Sequence, residues 1–160
     1  MPFKSKAQRR TLMMVRPITI NDTPTWLRLR RALWPDGSES EHASDIRAFF
    51  EGRAREPLAV LVAEDAADGP LGFVELSVRA KAEGCHSDQV AYLEGWYVVP
   101  EARNRGVGRA LIAAAEEWAR SLGCTECASD AEITNEVSAA AHKALGFAEV
   151  GQVRCFRKDL

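Results

Sequence analysis

The sequence contains no apolar run approaching the ~20 residues that span a bilayer, which excludes a helical membrane segment. It also lacks an excess of either charge. A formal net charge of -2 gives none of the basic surplus that marks a nucleic-acid partner. Cysteine is scarce. Its 4 residues, Cys85, Cys124, Cys127 and Cys155, fit reduced thiols in a cytoplasmic protein rather than a disulfide framework. Cys124-x-x-Cys127 has no second pair nearby, and residues three apart in a strand point to opposite faces, so structural thiols are the better reading than zinc or redox chemistry. Internal repeats and linkers are absent. The basic start, Met1 to Arg10, is followed by apolar residues only over Leu12 to Val15, too short for the hydrophobic part of a signal peptide. Residues 1–12 therefore read as a loose extension, with Met13 or Met14 as the natural start, and residues 13–160 as a single domain. The 160 residues together are 46% hydrophobic and 28% charged, the composition of a folded globular chain.

The chain is organised around Tyr92 to Arg109. An aromatic and β-branched run, Val90 to Val99, ends at Pro100, which has no amide hydrogen to continue a sheet. A short basic turn follows. Gly106 and Gly108 then open a helical pattern in which Val107, Leu111, Ala114, Trp118 and Leu122 recur on one side, with Gly123 as a C-terminal cap. Strand, glycine-rich turn and helix start make an anion cradle: the first helical amides have no partner within the helix, and the helix dipole favours negative charge there. Arg103, Arg105 and Arg109 add positive charge. This is not a Walker loop, since no Lys-Ser or Lys-Thr follows the glycines, and it lacks the three spaced glycines of a dinucleotide fold.

Elsewhere the pattern predicts a strand over Met14–Ile20 and a helix capped by Asn21 or Asp22 that runs to Leu33, with Trp26, Leu29, Leu33 and Trp34 on its apolar side. Pro35-Asp36-Gly37-Ser38 is a turn. A second helix, Ser40–Arg53, carries Glu39, Glu41, Asp45 and Glu51, either a solvated face or a negative rim that attracts a cation. Leu58–Ala63 and Leu71–Val78 form a hairpin, and Arg79–Asp88 is a loop. Cys124–Asp130 is a short strand beside the central one, Thr134–Leu145 a helix, and Phe147–Arg157 supplies the last strands. The order is mixed α/β.

Arg103-x-x-Gly106-x-Gly108, Asn135 and Ala141-His-Lys-Ala-Leu-Gly-Phe147 together resemble the GNAT acetyltransferases over nearly the whole chain. The resemblance implies a largely antiparallel, mixed sheet, splayed between the fourth and fifth strands, with helices on both faces. It also implies acetyl-coenzyme A as co-substrate and no metal. A narrower likeness runs through Leu33-Trp-Pro35, Gly84-Cys85, Tyr92-Leu-Glu-Gly95, Ala128-Ser-Asp130 and His142 to Phe147. It is to the dimeric subgroup of bacterial aminoglycoside 6'-N-acetyltransferases, which confer antibiotic resistance. That likeness implies Trp34, Glu94 and Asp130 lining the aminoglycoside pocket. It puts Trp96, Tyr97 and Val98 along the pantetheine and thioester, Arg103, Arg105, Gly106, Val107, Gly108 and Arg109 on the diphosphate, and Asn135 beside the pantetheine. A homodimer pairing through terminal strands is implied as well. The chain departs from this pattern in three places. Asp36, Gly37 and Ser38 stand where relatives have a substrate-contacting histidine, with His42 as a substitute at different spacing. Lys81 or Ala82 stands where a tyrosine is expected, and Gly151 near a late glutamate, with Glu149 the nearest acid.

Transfer to a protonated amine needs a base, an oxyanion donor and a proton for the thiolate. Glu94 and Asp130 are the candidate catalytic acids. Their alternatives are pairing with an arginine for Glu94 and helix capping for Asp130. The family's strand bulge points to the Val98 amide as the oxyanion donor. His142 is the thiolate's proton source or a packing residue at the cofactor edge, and Tyr97 is the alternative donor. Trp118 is assigned to packing. The acceptor is an aminoglycoside or another polycationic amine: a polyamine, an amino sugar or a peptide amine. A non-catalytic acetyl-coenzyme A module is the reading outside enzymes.

Overall fold

The structure, a computed structural model, describes residues 13–160; the N-terminal extension expected over 1–12 lies outside them. The elements run β1 (Met13–Pro17), α1 (Thr23–Leu33), α2 (Glu39–Phe50), β2 (Ala59–Asp65), β3 (Gly69–Arg79), β4 (Val90–Val98), α3 (Val107–Ser121), β5 (Glu126–Ser129) and α4 (Glu136–Ala144). The strands form one sheet in the order β1-β2-β3-β4-β5. All neighbours are antiparallel except β4 and β5. A parallel neighbour requires a crossover, and α3 supplies it.

Each end of this frame has a local cause. At the first helix the expected cap is differently made. Asp22 occupies the cap position without capping α1. Its carboxylate instead accepts from the Thr19 amide at 2.8 Å and from Arg16, which also grips Glu64. Those contacts hold both acids below the usual carboxylate range. α2 starts on a capping box in which Ser38 and Glu41 satisfy each other's backbone amides. Glu39 pairs with Arg31, Asp45 with Arg30 and Glu51, just past α2, with Arg53, which favours the reading of a solvated face with local partners.

Alternation along the strands sends two apolar sets to opposite faces. Leu61, Val74, Leu76 and Leu93 meet Val107, Leu111 and Ile112 of α3 on one face. Val60 and Phe73 meet Trp26, Leu29 and Ile46 of α1 and α2 on the other. Trp26 is fully buried, with the rings of Phe49 and Phe50 edge-on at 5.1 and 5.8 Å. Trp118 packs beside Ala91, Ala119 and Cys124, as expected of its stripe. Cys127 is half-buried and its thiol is pushed up to about 11 by burial, so it is no nucleophile.

The strands expected over Phe147–Arg157 do not form in the single chain. Residues 148–160 carry no regular structure, and Val150, Val153 and Phe156 are 60%, 66% and 91% exposed. A strand exists only where a neighbour takes up its backbone groups, and none reaches this segment. β4 and β5 also part early. They pair from Val90–Glu126 to Leu93–Ser129 and no further, which leaves Glu94 to Val98 without a neighbour on that side.

Candidate active site

Strict alternation would place Leu93 and Trp96 on opposite faces of β4, yet both pack on the α3 side. The β3/β4 ladder accommodates this with a register shift: Leu76 pairs with Leu93 and Glu75 with Gly95, leaving Glu94 as the extra residue. The irregularity expected near Val98 is thus at Glu94, while Val98 pairs in register with Gly72. The extra residue turns both Glu94 and Gly95 towards α1 and α2.

There Glu94 meets two side chains from β3. The Ser77 hydroxyl donates a short hydrogen bond to it. Arg79 donates two more, Nε at 3.0 Å and Nη2 at 2.6 Å. The arginine pairing weighed for Glu94 is therefore present, and it raises the Arg79 pKa further. The Arg79 guanidinium carbon lies 3.5 Å from the Tyr92 ring centroid, and the Tyr92 hydroxyl donates to Asp130 Oδ2 at 2.9 Å. Burial first, and then the Asp130 contact, push the Tyr92 phenol well above its ordinary value. Glu94 and Asp130 are thus joined through Arg79 and Tyr92 rather than left to repel each other. Sequence reasoning missed Ser77, Arg79 and Tyr92. Their signal was period-two spacing: Ser77 and Arg79 follow Glu75 on one face, and Tyr92 lies two residues before Glu94.

Trp34, at the end of α1, closes this side. A Cβ on Gly95 would stand 2.5 Å from its ring, so only glycine lets the indole lie across β4. Beneath it is a buried polar cluster. Trp26 Nε1 donates to Glu75 Oε1 at 2.8 Å, and Arg30 donates to both Glu75 oxygens at 3.1 and 3.3 Å. Arg30 also lies 5.0 Å from the Trp34 ring. His42 takes the Arg30 Nε hydrogen on Nδ1 at 3.4 Å, which leaves Nε2 to donate to the Trp34 carbonyl at 3.1 Å. His42 is 5% exposed, so it supports Trp34 from behind and does not replace the family's substrate-contacting histidine.

The turn from the end of β4 into α3 carries the anion cradle. Arg103 Nε donates to the Val98 carbonyl at 3.1 Å, with its guanidinium 5.9 Å from the Tyr97 ring. Arg105 pairs with Asp68 of the β2–β3 turn at 2.9 Å, and Arg109 is exposed on the first turn of α3. Gly106, at φ +84°, swings the backbone into the helix, and Val107 anchors that start in the core. A Cβ on Gly108 would stand 2.8 Å from the Trp96 ring. Trp96 Nε1 is buried without a hydrogen-bond partner. Unpaired helix amides, exposed arginines and this orphaned donor fit a ligand with phosphate and amide oxygens.

His142, on α4, stands edge-on to Trp96 and Phe147, each 5.2 Å away. Its Nδ1 donates to the Ser138 carbonyl at 2.7 Å, and its Nε2 accepts from the Ser129 hydroxyl at 2.9 Å. Asn135 Oδ1 accepts the Ser138 amide at 3.0 Å, so this side chain is engaged as the cap of α4. Among the described residues no cluster of three His, Cys, Asp or Glu could hold a metal ion, and no helix is long and apolar enough to cross a membrane.

Comparison with known proteins identifies the family of the chain. The acetyltransferase (GNAT) family profile matches residues 26–147. An aminoglycoside N(6')-acetyltransferase type 1 from Klebsiella aerogenes is 56% identical over 147 residues, 92% of this chain and 97% of the relative. One from Stenotrophomonas maltophilia is 42% identical over 91% and 93% of the two chains. Among solved structures, AAC(6')-Iy in complex with the bisubstrate analogue CoA-S-monomethyl-acetylneamine superposes with a TM-score of 0.85 at 35% identity, covering 94% of this chain and all of that one. AAC(6')-Ih from Acinetobacter baumannii gives 0.84 at 35% identity, covering 93% and 99%.

Proposed function

The chain belongs to the GNAT family of acetyltransferases, and on that premise we propose that it transfers the acetyl group of acetyl-coenzyme A to the 6'-amine of aminoglycoside antibiotics, a resistance activity. The observation that carries this reading is the placing of two chemistries along β4: linked carboxylates on its α1 and α2 side, an anion cradle where it runs into α3, and an open strand edge between them. Acetyl-coenzyme A, when bound, supplies a thioester for direct attack in a ternary complex.

The chain's own residues do the rest. Arg103, Arg105, Arg109 and the amides of Gly106 to Gly108 hold the diphosphate. Trp96, Tyr97, Val98 and Asn135 border the pantetheine arm. Trp34 stacks on a sugar ring. Glu94 orients the acceptor's ammonium, and Asp130, whose carboxylate accepts among the described residues only from the Tyr92 phenol, takes the proton directly or through water. The open amides of β4 up to Val98 meet the developing oxyanion. Protonated His142 keeps Nδ1 on Ser138 and makes Nε2 the donor to the departing thiolate. Tyr97 turns instead to the α1 side of the sheet, which favours His142 for this step.

A polyamine, amino-sugar or peptide amine is the second reading, favoured by Asp36 to Ser38 and by Lys81 or Ala82 standing where the resemblance implies a histidine and a tyrosine. Two copies pair through residues 147–160, whose exposed Val150, Val153 and Phe156 need a partner. The free thiols suit a cytoplasmic location. Acetyl-coenzyme A turnover with neomycin against paromomycin, which lacks the 6'-amine, tests the assignment. Turnover is expected with neomycin and little with paromomycin; equal rates exclude 6' selectivity. Light scattering at two concentrations tests the dimer.

A further inference from the structure

Arg79 is a cation inside a site built for cations. Its guanidinium makes two hydrogen bonds to Glu94, Ser77 supports the same carboxylate, and the Tyr92 ring forms its other boundary. The contact is neither sealed nor fully solvated, with the Arg79 side chain 36% exposed and that of Glu94 17%. Arg79 also lines a cleft of about 350 Å³, together with Arg55, Glu56, Leu58, Ser77 and Ala80. Glu56 is near enough for its charge to act on Arg79. The guanidinium therefore has a second carboxylate and room beside it.

Resting on the proposed amine acetyltransfer, we propose that Arg79 is the specificity-determining residue of the acceptor site. It is a resident cation that neutralises Glu94 until the acceptor's ammonium displaces it towards Glu56. Two consequences follow from the charges. A weakly charged amine cannot displace the guanidinium, whereas a polycation recovers the cost through its other ammonium groups, so the pairing discriminates against monoamines. It also makes the carboxylates unequal. Glu94 is compensated by Arg79, while the Asp130 carboxylate, among the described residues, meets only the Tyr92 phenol and no cation.

The test is acceptor binding to the full chain by calorimetry with coenzyme A present, using neomycin and a simple monoamine. Arg79→Met retains the stem and removes the charge. It is expected to bind neomycin about tenfold tighter and the monoamine tighter still relative to wild type, with a steeper salt dependence and unchanged coenzyme A affinity. Arg79→Lys keeps the charge but loses the two-pronged contact and the ring stacking, so its affinities should fall between those of wild type and Arg79→Met. In a Glu94→Gln background the gain from Arg79→Met should vanish, because nothing is left to unmask. Unchanged or weaker neomycin binding in folded Arg79→Met overturns the proposal, and so does a gain that persists without Glu94. Should Arg79→Met fail to fold, Arg79→Gln provides the same comparison. Wild-type turnover of neomycin, measured beside these, separates a failure of the acetyltransferase reading from a failure of the displacement.

Discussion

Replacing Glu75 with glutamine should reverse one part of the protein's dependence on pH. Glu75 is 3% exposed beneath Trp34, with Trp26 and Arg30 as donors. Burial penalises its charged form more than Arg30 favours it, and its pKa is pushed up from 4.5 to about 7. Between those values the native chain holds a proton that the unfolded chain has released. The resulting stabilisation is complete below pH 4.5 and is lost as pH rises through 7. At about 1.4 kcal/mol per tenfold change in proton affinity, the loss is roughly 3 kcal/mol. Asp22 and Glu64 act with the opposite sign, since Arg16 lowers their pKa values and stability is lost as pH falls. A wild-type profile alone would mix the two. Glu75→Gln keeps the shape and the neutral hydrogen bonds but cannot titrate. Its stability minus that of wild type should therefore grow by roughly 3 kcal/mol between pH 4.5 and 8, or about 10 °C in relative Tm for a chain of this size. Urea unfolding followed by tryptophan fluorescence at a series of pH values measures it. Parallel profiles for the two proteins would refute the reasoning and show that Glu75 stays ionised against Arg30 throughout.

Gly108→Trp should abolish coenzyme A binding in a folded protein, because any Cβ there already meets Trp96 at 2.8 Å; calorimetry reads it, and unchanged binding removes the cradle. Gly95→Ala should raise the acceptor KM about tenfold by pushing Trp34 off β4, with the acetyl-coenzyme A KM unmoved. Asp130→Asn and Glu94→Gln should each lower kcat by roughly 100-fold with acetyl-coenzyme A affinity intact; wild-type rates in both would take the carboxylates out of the mechanism. His142→Gln should lower kcat at least ~10-fold and remove one limb of its pH profile, whereas a packing role would leave the shape of the profile unchanged.

The donor side was legible in the sequence because its signals are local: Pro100, Gly106 and the stripe from Val107 to Leu122 are neighbours along the chain. The acceptor side was legible only in part. Trp34, Glu94 and Asp130 stood out, but Arg79 joins Glu94 through strand pairing across a polar loop. The shift that brings Gly95 beside Glu94 and Trp96 back to the α3 side is a property of two strands together, invisible in either alone. His42 failed as a substrate contact for the same reason: spacing along α2 gave no hint that Arg30 and the Trp34 carbonyl enclose it. Phe147–Arg157 has the composition of a strand, and composition does not supply a neighbour.

The early parting of β4 and β5 ties the acetyl donor to the endurance of the fold. Amides from Glu94 to Val98 that face away from β3 are met by solvent alone, so this stretch is where hydrogen exchange should be fast at the protein's centre. A ligand whose own amides lie along that gap becomes, in effect, a borrowed strand. At a donor concentration 100 times its dissociation constant the native state gains about 2.7 kcal/mol by mass action. Thermal unfolding should then shift upwards as acetyl-coenzyme A is added, and the protein without its donor should be both idle and softer.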